Sequence, residues 1–519
     1  MCFYLAISIN IPDKGCKLFL LDSTINIELA INKLWIEFFD YTTQNFNGVI
    51  FVHNLGSFDG LYIYKYLSIY TKPENVSAII DDKNKFIQIS LSNDIFWKDS
   101  FRIFPVSLND LCKNFGVEGK LSKYNPKFNN LNLFDNPDLL KEFINYSMQD
   151  SISLYNVLEQ AQSFYIINYH VDITTIYSTS TLSLKIYRSN FQDTNIPTLK
   201  GNIDNFIRKG YFGGATDYYK AYIEKGKYYD VNSLYPYAMS NPMPLEIIKY
   251  YNDMSSINLE NFFGYVLAQI YCPKNMIRPV LPYKYKGKTI YPTGIWIGVY
   301  FSEELKAVDK LGYKITLIKG YEFSKIDLFS KYIDHFFEKK KFSSGATRFI
   351  AKMHLNQLYG YFGRRQDLIE TINVFNRDLN LYASCRIIKS IIRINNEIST
   401  ILLHCNLNQE LINELNSKFE LNLNSSFKNV KTNVSIAAAV TAYARIHMIP
   451  FKLLPGTVYT DTDSIFTTDI LPDNQIGRNM GLMKDELDGK FILEGYFLGI
   501  KQYGYKFSDN NQISLFIIY

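Results

Sequence analysis

Cysteine is scarce in this chain of 519 residues: there are six, Cys2, Cys16, Cys112, Cys272, Cys385 and Cys405, and no two stand at C-x-x-C spacing. Such a scatter argues against a zinc module and a disulfide framework, and fits a reducing compartment. A strong charge of either sign is also missing. The net charge of +5 is modest for this length, so a polyanionic partner would have to be held by local patches and bound metal. No secretory signal is visible. The apolar opening from Met1 to Ile11 is too short to span a bilayer and runs into Pro12, Asp13 and Lys14 without a small-residue cleavage site. It reads as a buried strand, and no membrane partner is expected.

What is abundant is apolar and aromatic. A hydrophobic share of 47% with 20% charged residues describes a globular protein rather than a disordered or collagenous one. The 41 Tyr and 38 Phe suit both core packing and stacking on bases, and an AT-rich coding sequence would account for them equally well. At about 150 residues per domain the length allows three or four packed domains, and no internal repeat is apparent.

Short β-branched and aromatic runs from Phe3 to Leu21 and from Gly48 to Val52, ending in turn formers such as Gly56 and Gly60, predict a mixed sheet with helices. Leu139, Phe143, Tyr146, Ile152, Tyr155 and Leu158 recur at helical spacing and predict one or two amphipathic helices from which Asp150 projects. A polar, Thr- and Asn-rich stretch from Ser178 to Arg208 marks a domain boundary, after which Gly213 and Gly214 open a strand-rich region. The Asn-, Leu- and Lys-rich segment from Asn406 to Lys431 reads as an insertion or rim subdomain.

Three elements carry chemistry. In Tyr229-Asp230-Val231-Asn232-Ser233-Leu234-Tyr235-Pro236 a strand delivers a carboxylate and turns into a helix; a lone Asp there is as readily a helix cap. In Val458-Tyr459-Thr460-Asp461-Thr462-Asp463-Ser464-Ile465-Phe466, period-2 alternation puts Asp461 and Asp463 on one side, where like charges need a cation. A polar hairpin turn is the competing reading. In the run Arg348 to Gly360 a helical spacing aligns Arg348, Lys352, Asn356 and Tyr359 on one face. Together with Lys339, Lys340 and Lys341 this is either a solvated basic face or a stripe that grips a triphosphate and covers a base. Jointly the three supply what nucleotidyl transfer demands: Asp-anchored Mg²⁺ ions about 3.5–4 Å apart that neutralise an attacking 3′-oxygen and a departing pyrophosphate.

In this order the motifs resemble the family B DNA polymerases, protein-primed branch, over nearly the whole chain. Asp230 to Pro236 looks like motif A, Lys352 with Asn356, Tyr359 and Gly360 like motif B, and Tyr459 to Ser464 like motif C. The resemblance implies catalytic Asp230, Asp461 and Asp463, with Asp230 and Asp463 holding two Mg²⁺. It implies a nucleotide site of Ser233, Leu234, Tyr235, Lys340, Lys352, Asn356 and Tyr359, where Tyr235 would select deoxyribose against a 2′-hydroxyl. Tyr211-Phe212-Gly213-Gly214, Thr441 with Arg445, and Lys501-Gln502-Tyr503 are similar to its DNA-holding elements, with Ala444 where the family has Gly.

The first half resembles the family's ribonuclease-H-like 3′–5′ exonuclease through Asn54, Phe58 and Asp59, then the strand-contacting element Asp99-Ser100-Phe101, with Phe101 where phage members carry Leu, then Tyr146 and Asp150. The family's N-terminal D-x-E occurs nowhere in the 519 residues, so weak or absent proofreading is expected, as is a missing or truncated thumb after Tyr503. The expected architecture is a multi-domain, mixed α+β fold in the α/β class: an exonuclease domain at 1–190, then a polymerase domain at 191–519. Within the latter, palm falls at 205–252 and 433–519, insertions at 253–330 and 371–432, and fingers at 331–370. In the family the insertions contact a terminal protein and help displace the non-template strand. Implied partners are primer-template DNA, dNTPs and a terminal protein primer; the implied location is the mitochondrion, on a plasmid or other mobile element. The rival readings are an inactive DNA-binding remnant and a nuclease.

Overall fold

The computed structural model describes residues 6–72, 75–81, 83–92, 94–119, 124–365, 369–385, 387–404, 417, 432–509 and 512–518. The segment 406–431 therefore lies outside the described residues except for Ser417, as do Cys2 and Cys405.

In chain order, β1 (Ala6–Ile11), β2 (Gly15–Leu20), α1 (Ile27–Asn45), β3 (Gly48–Val52), α2 (Asp59–Tyr70), β4 (Val76–Ile80), β5 (Phe86–Leu91), β6 (Ile95–Asp99), α3 (Leu108–Phe115), α4 (Pro137–Tyr169) and α5 (Thr179–Asn190) come first. They are followed by α6 (Gly201–Lys209), β7 (Thr216–Tyr218), β8 (Tyr222–Val231), α7 (Leu234–Met239), β9 (Met243–Tyr251), β10 (Gly264–Cys272), β11 (Tyr283–Tyr285), β12 (Lys288–Ile290), β13 (Gly294–Phe301), α8 (Ser302–Asp309), β14 (Lys314–Ile326), α9 (Ser330–Phe342) and α10 (Gly345–Phe362). Then come β15 (Ile369–Phe375), α11 (Leu379–Cys385), β16 (Ile388–Arg393), β17 (Ile398–His404), α12 (Val434–Lys452), β18 (Thr457–Asp461), β19 (Ser464–Thr467), β20 (Met483–Asp485), β21 (Ile492–Gly499), β22 (Gln502–Asp509) and β23 (Gln512–Ile518). Helices and strands are interleaved throughout, a mixed α+β chain.

By contact the chain forms two units. The first comprises Met1–Asn190, Phe342–Ile350 and Arg365–Val430. Its main sheet has the order β3-β6-β5-β4, parallel between β3 and β6 and antiparallel elsewhere. The buried stripe Ala30, Leu34, Trp35, Phe38 and Phe39 of α1 packs with Leu67, Ile89 and Trp97 to make its core. Of the one or two helices read from the sequence, one forms: α4 is a single helix of 33 residues, capped by Asn136, begun by Pro137 and stopped at His170, whose φ is +56°.

The described residues 369–385 and 387–404 fall in this unit. The antiparallel sheet β15-β17-β16 accounts for it. Tyr64 donates to Asn373, and its hydroxyl lies 2.8 Å from that of Thr400 in a buried cluster.

The second unit comprises Phe191–Lys341, Ala351–Arg364 and Lys431–Tyr519. Its eight-stranded sheet runs β23-β22-β21-β8-β19-β18-β7, with β20 also on β8 and every pairing antiparallel. A second sheet has the order β13-β10-β14-β9. Helix α12 is long and apolar enough to cross a membrane by length and composition, but 72% of that window is buried inside the protein. It is the core helix of this unit.

Candidate active site

The acidic centre lies in the eight-stranded sheet of the second unit. Strand β8 ends at Val231, so Asp230 is fixed by pairing opposite Ser464 of β19. The Val231 amide donates to the Asp463 carbonyl at 2.7 Å and ties this strand to the D-T-D segment. That segment is not a strand face. Asp461 of β18 pairs with Ser464 of β19, leaving Thr462 and Asp463 as a two-residue hairpin loop, with Thr462 at φ +62°. The pleat therefore does not bring the carboxylates together; the turn does, with the Asp463 amide donating to the Asp461 carbonyl at 2.7 Å. The competing hairpin-turn reading and the acidic-site reading describe the same structure.

Burial, then the charge of Asp463 and then that of Glu486 push the Asp230 carboxyl up to about 7, against the opposing charges of Lys484 and Lys352. Burial also raises Asp463, as does the charge of Asp461, while its own backbone amide and Lys501 act the other way. Two half-buried carboxylates that resist ionising in each other's company are a donor set suited to a divalent cation. Asp461 differs. One of its oxygens, Oδ1, accepts from Lys501 Nζ at 2.6 Å and from Thr216 Oγ1 at 3.0 Å. Consistent with that, no group of three or more His, Cys, Asp or Glu stands in metal-holding array among the described residues.

The cationic stripe is built as its spacing predicts. Helix α10 is continuous over 18 residues, with Lys352 and Asn356 exposed and Tyr359 partly buried. Tyr359 stacks on Tyr235, ring centroids 4.5 Å apart, and burial raises both hydroxyls. From α9, Lys340 Nζ donates to Ser233 Oγ at 2.8 Å. Ser233 is left-handed, φ +58°, which turns β8 into α7. Leu234 is buried, so its side chain belongs to the core. Gly214 is explained by closeness: an added Cβ would lie 2.5 Å from Thr462 and 2.9 Å from the Tyr235 hydroxyl. At Gly213 a Cβ would meet nothing within 4 Å. Tyr211 is packed against Gly363, whose Cβ would lie 2.6 Å from the Tyr211 hydroxyl.

Three of the residues expected to contact DNA are buried. Arg445 is buried in a two-pronged pair with Glu304, at 2.6 and 2.7 Å, and also donates to the carbonyls of Phe212 and Gly213 at 2.9 and 2.8 Å. Its charge is consumed internally, and it shapes the Tyr211–Gly214 segment. Thr441 is buried and donates to its own helix at Ala438. Tyr503 packs in a core of Tyr459, Phe466 and Phe497. Lys501, by contrast, is exposed and reaches Asp461.

In the first unit a cavity of about 1090 Å³ is lined by Asn54, Asp59, Tyr146 and Asp150, together with His53 and Phe101. Phe58, half exposed and set against Tyr62, and Ser100 do not line it. Ser100 is fully buried: its Oγ donates to the Val52 carbonyl at 3.3 Å and lies 3.0 Å from His53 Nδ1.

Sequence reasoning missed Thr216, Lys484 and Glu486 beside the aspartates. Asp99, read with Ser100 and Phe101 as a strand-contacting element, accepts from the amides of Asn54, Gly56 and Phe101 at 2.9, 3.1 and 3.0 Å. Asp99 carried a signal, an Asp at a strand end; the others are visible only once strands pair.

The model of the family described as DNA polymerase type B, organellar and viral, matches residues 118–452. The chain belongs to the organellar and viral type B DNA polymerases. Among relatives of this polymerase-family chain, a protein of Podospora anserina called "Probable DNA polymerase" is 35% identical over 79% of this chain and 38% of that one. One of Agaricus bitorquis with the same name is 28% identical over 94% of this chain and 68% of that one. The DNA polymerase of Bacillus phage Nf is 30% identical over 38% of this chain and 37% of that one. The chain spans 38% and 41% of the length of the first two fungal relatives it matches. Phi29 DNA polymerase solved with primer-template DNA and incoming nucleotide has the same fold: TM-score 0.71 at 17% identity, over 100% of this chain and 91% of that one.

Proposed function

We propose that this chain is a template-directed DNA polymerase that adds dNTPs to a 3′-hydroxyl and releases pyrophosphate. The observation that carries the reading is the pairing of β8 with the β18–β19 hairpin, which sets Asp230 beside Asp463 with the charge of Lys352 felt at Asp230. Family membership supports it. Asp230 and Asp463 would hold Mg²⁺, which when bound would supply the positive charge that nucleophile and leaving group require.

The chain's own residues divide the remaining work. Lys352 and Lys340 are charge-assisted donors for the triphosphate. The Tyr235–Tyr359 stack forms the floor under sugar and base and excludes a 2′-hydroxyl. Lys501 and Thr216 hold Asp461. We assign the first unit as an exonuclease-like module that receives a single strand in the cavity lined by Asn54, Tyr146 and Asp150. We infer protein-primed replication of a linear mobile element, with a terminal protein as partner and the mitochondrion as location. The family description and the fungal and phage relatives support this. No observation favours an inactive remnant, since Asp230, Asp461, Asp463 and Lys352 are all present in one unit.

Primer extension with and without Mg²⁺ tests the reading. Extension that Asp463→Asn abolishes supports it; DNA binding with no extension by the unaltered chain overturns it, and shortening of the strand would indicate a nuclease.

A further inference from the structure

A second layer of charge stands behind the acidic hairpin, and the polymerase reading does not use it. Strand β7 pairs with β18 in the register Thr216 to Asp461 and Asp217 to Thr460. Neighbouring residues of a strand point to opposite faces. Thr216 thus reaches the Asp461 carboxylate, while Asp217 turns to the other face, where Lys452 Nζ lies 3.8 Å from its Oδ2. Lys452 ends α12 and is 4% exposed. Its ammonium sits 3.7 Å from the centroid of the Tyr291 ring and has no partner at hydrogen-bonding distance among the described residues.

Arg278 completes this layer. Its guanidinium donates to the carbonyls of Lys452 at 3.1 Å, Leu454, Pro455 at 3.0 Å and Thr457 at 2.8 Å, and lies 4.9 Å from the Tyr219 centroid. Those carbonyls span the whole connection from α12 into β18. One arginine therefore sets the path by which the chain enters the strand that carries Asp461.

Burying an ammonium without a direct hydrogen bond is costly, and a hydrophobic side chain of similar length would avoid the cost. Burial lowers Lys452 to about 8, helped by the charge of Arg445, and the charge of Asp217 offsets only part of the penalty. Such groups are best accounted for by a registry role. Here the register in question is that of β7 against β18, which decides whether Thr216 reaches the oxygen of Asp461 that Lys501 also engages.

We propose that Asp217, Lys452 and Arg278 are positioning residues for the Asp461 carboxylate, acting through the register of β7 and the entry to β18. The proposal rests on the polymerase reading for its catalytic consequence but not for its geometry, so two readouts separate the two. The first is single-nucleotide extension by the 519-residue chain, with kcat and the KM for dNTP measured separately. The second is Mn²⁺ binding to the chain without DNA or nucleotide.

Thr216→Val and Lys452→Met each lower kcat about tenfold with little change in KM, the scale on which a small displacement of a positioned group acts. The double variant falls no further than the worse single one, since residues in one chain of contacts are not additive. Thr216→Ser, which keeps the hydroxyl, stays within about twofold of the unaltered chain. Mn²⁺ binding weakens in parallel in Thr216→Val and Lys452→Met while melting temperature is held. Should Lys452→Met fail to fold, Asp217→Asn, which keeps the shape, carries the same expectation. Multiplying losses in the double variant, or kcat and Mn²⁺ binding unmoved in Lys452→Met or Asp217→Asn, overturn the proposal. A chain that extends no primer but loses Mn²⁺ affinity in both variants overturns the polymerase reading and leaves the positioning role supported.

Discussion

The ring of Tyr235, in the first turn of α7, stacks on that of Tyr359 in α10 with centroids 4.5 Å apart and planes 25° from parallel. Gly214 lies against the Tyr235 hydroxyl, close enough that a Cβ would stand 2.9 Å from it. The stack is thereby held from two sides. If it forms the floor that excludes ribose, Tyr235→Ala raises the ratio of rNTP to dNTP insertion by about tenfold or more, the scale of a lost steric contact. Single-nucleotide insertion with matched ribo- and deoxyribonucleotides measures it, and an unchanged ratio removes Tyr235 from sugar selection.

Asp230 makes stability depend on pH with a definite sign. Its folded pKa is about 7, while the unfolded carboxyl titrates near 4. Between those values the folded chain holds a proton that the unfolded chain has released, so stability falls as pH rises through that window. A bound divalent cation favours the ionised form and opposes the trend. Melting temperatures in chelator should fall from pH 5 to pH 8, less so in Asp230→Asn, and the fall should shrink when Mg²⁺ is added.

Lys352 is exposed on α10, yet its charge reaches Asp230. Lys352→Ala should lower kcat/KM for dNTP by about 10²–10³, the cost of losing one donor to developing charge. Lys352→Arg should recover part of it, because the charge returns with a different shape. Lys340→Ala should act mainly on KM, since its ammonium is anchored on Ser233. Equal activity in all three variants would remove both lysines from the triphosphate site.

Glu304 and Arg445 are each 3% exposed and paired at 2.6 Å. Glu304→Gln leaves a buried guanidinium uncompensated and should destabilise the chain by about 3–5 kcal/mol. Urea denaturation measures it. Arg445→Met should weaken DNA binding only through the altered Tyr211–Gly214 segment, so salt dependence of binding should hardly change; a shallower salt slope would restore Arg445 as a phosphate contact.

Much of the site is legible in short stretches of sequence. Asp230 at a strand end before a bend and the stripe Lys352, Asn356, Tyr359 are local patterns that occupy the elements their spacing predicts, whereas the D-T-D pair sits in a hairpin turn and not on the strand face that period-2 alternation suggests. Other features were hidden for one reason. Thr441, Arg445, Tyr503 and Ser100 carry polar groups suited to a surface, but whether such a group faces solvent is decided by a partner far along the chain. Glu304, which receives Arg445, is 141 residues away.

By itself the sequence determined what depends on neighbours within a turn or two: helix faces, caps, the hairpin and the order of the motifs. Tertiary structure alone decided which charges meet. Asp230 and Asp463 become a pair because β8 and β19 pair, Asp461 is engaged by Lys501 rather than left free, and the sheet β15-β17-β16 gathers with the first unit. Spacing along a chain governs backbone geometry, whereas the cost of burying a charge depends on everything packed around it, and that is assembled from segments hundreds of residues apart.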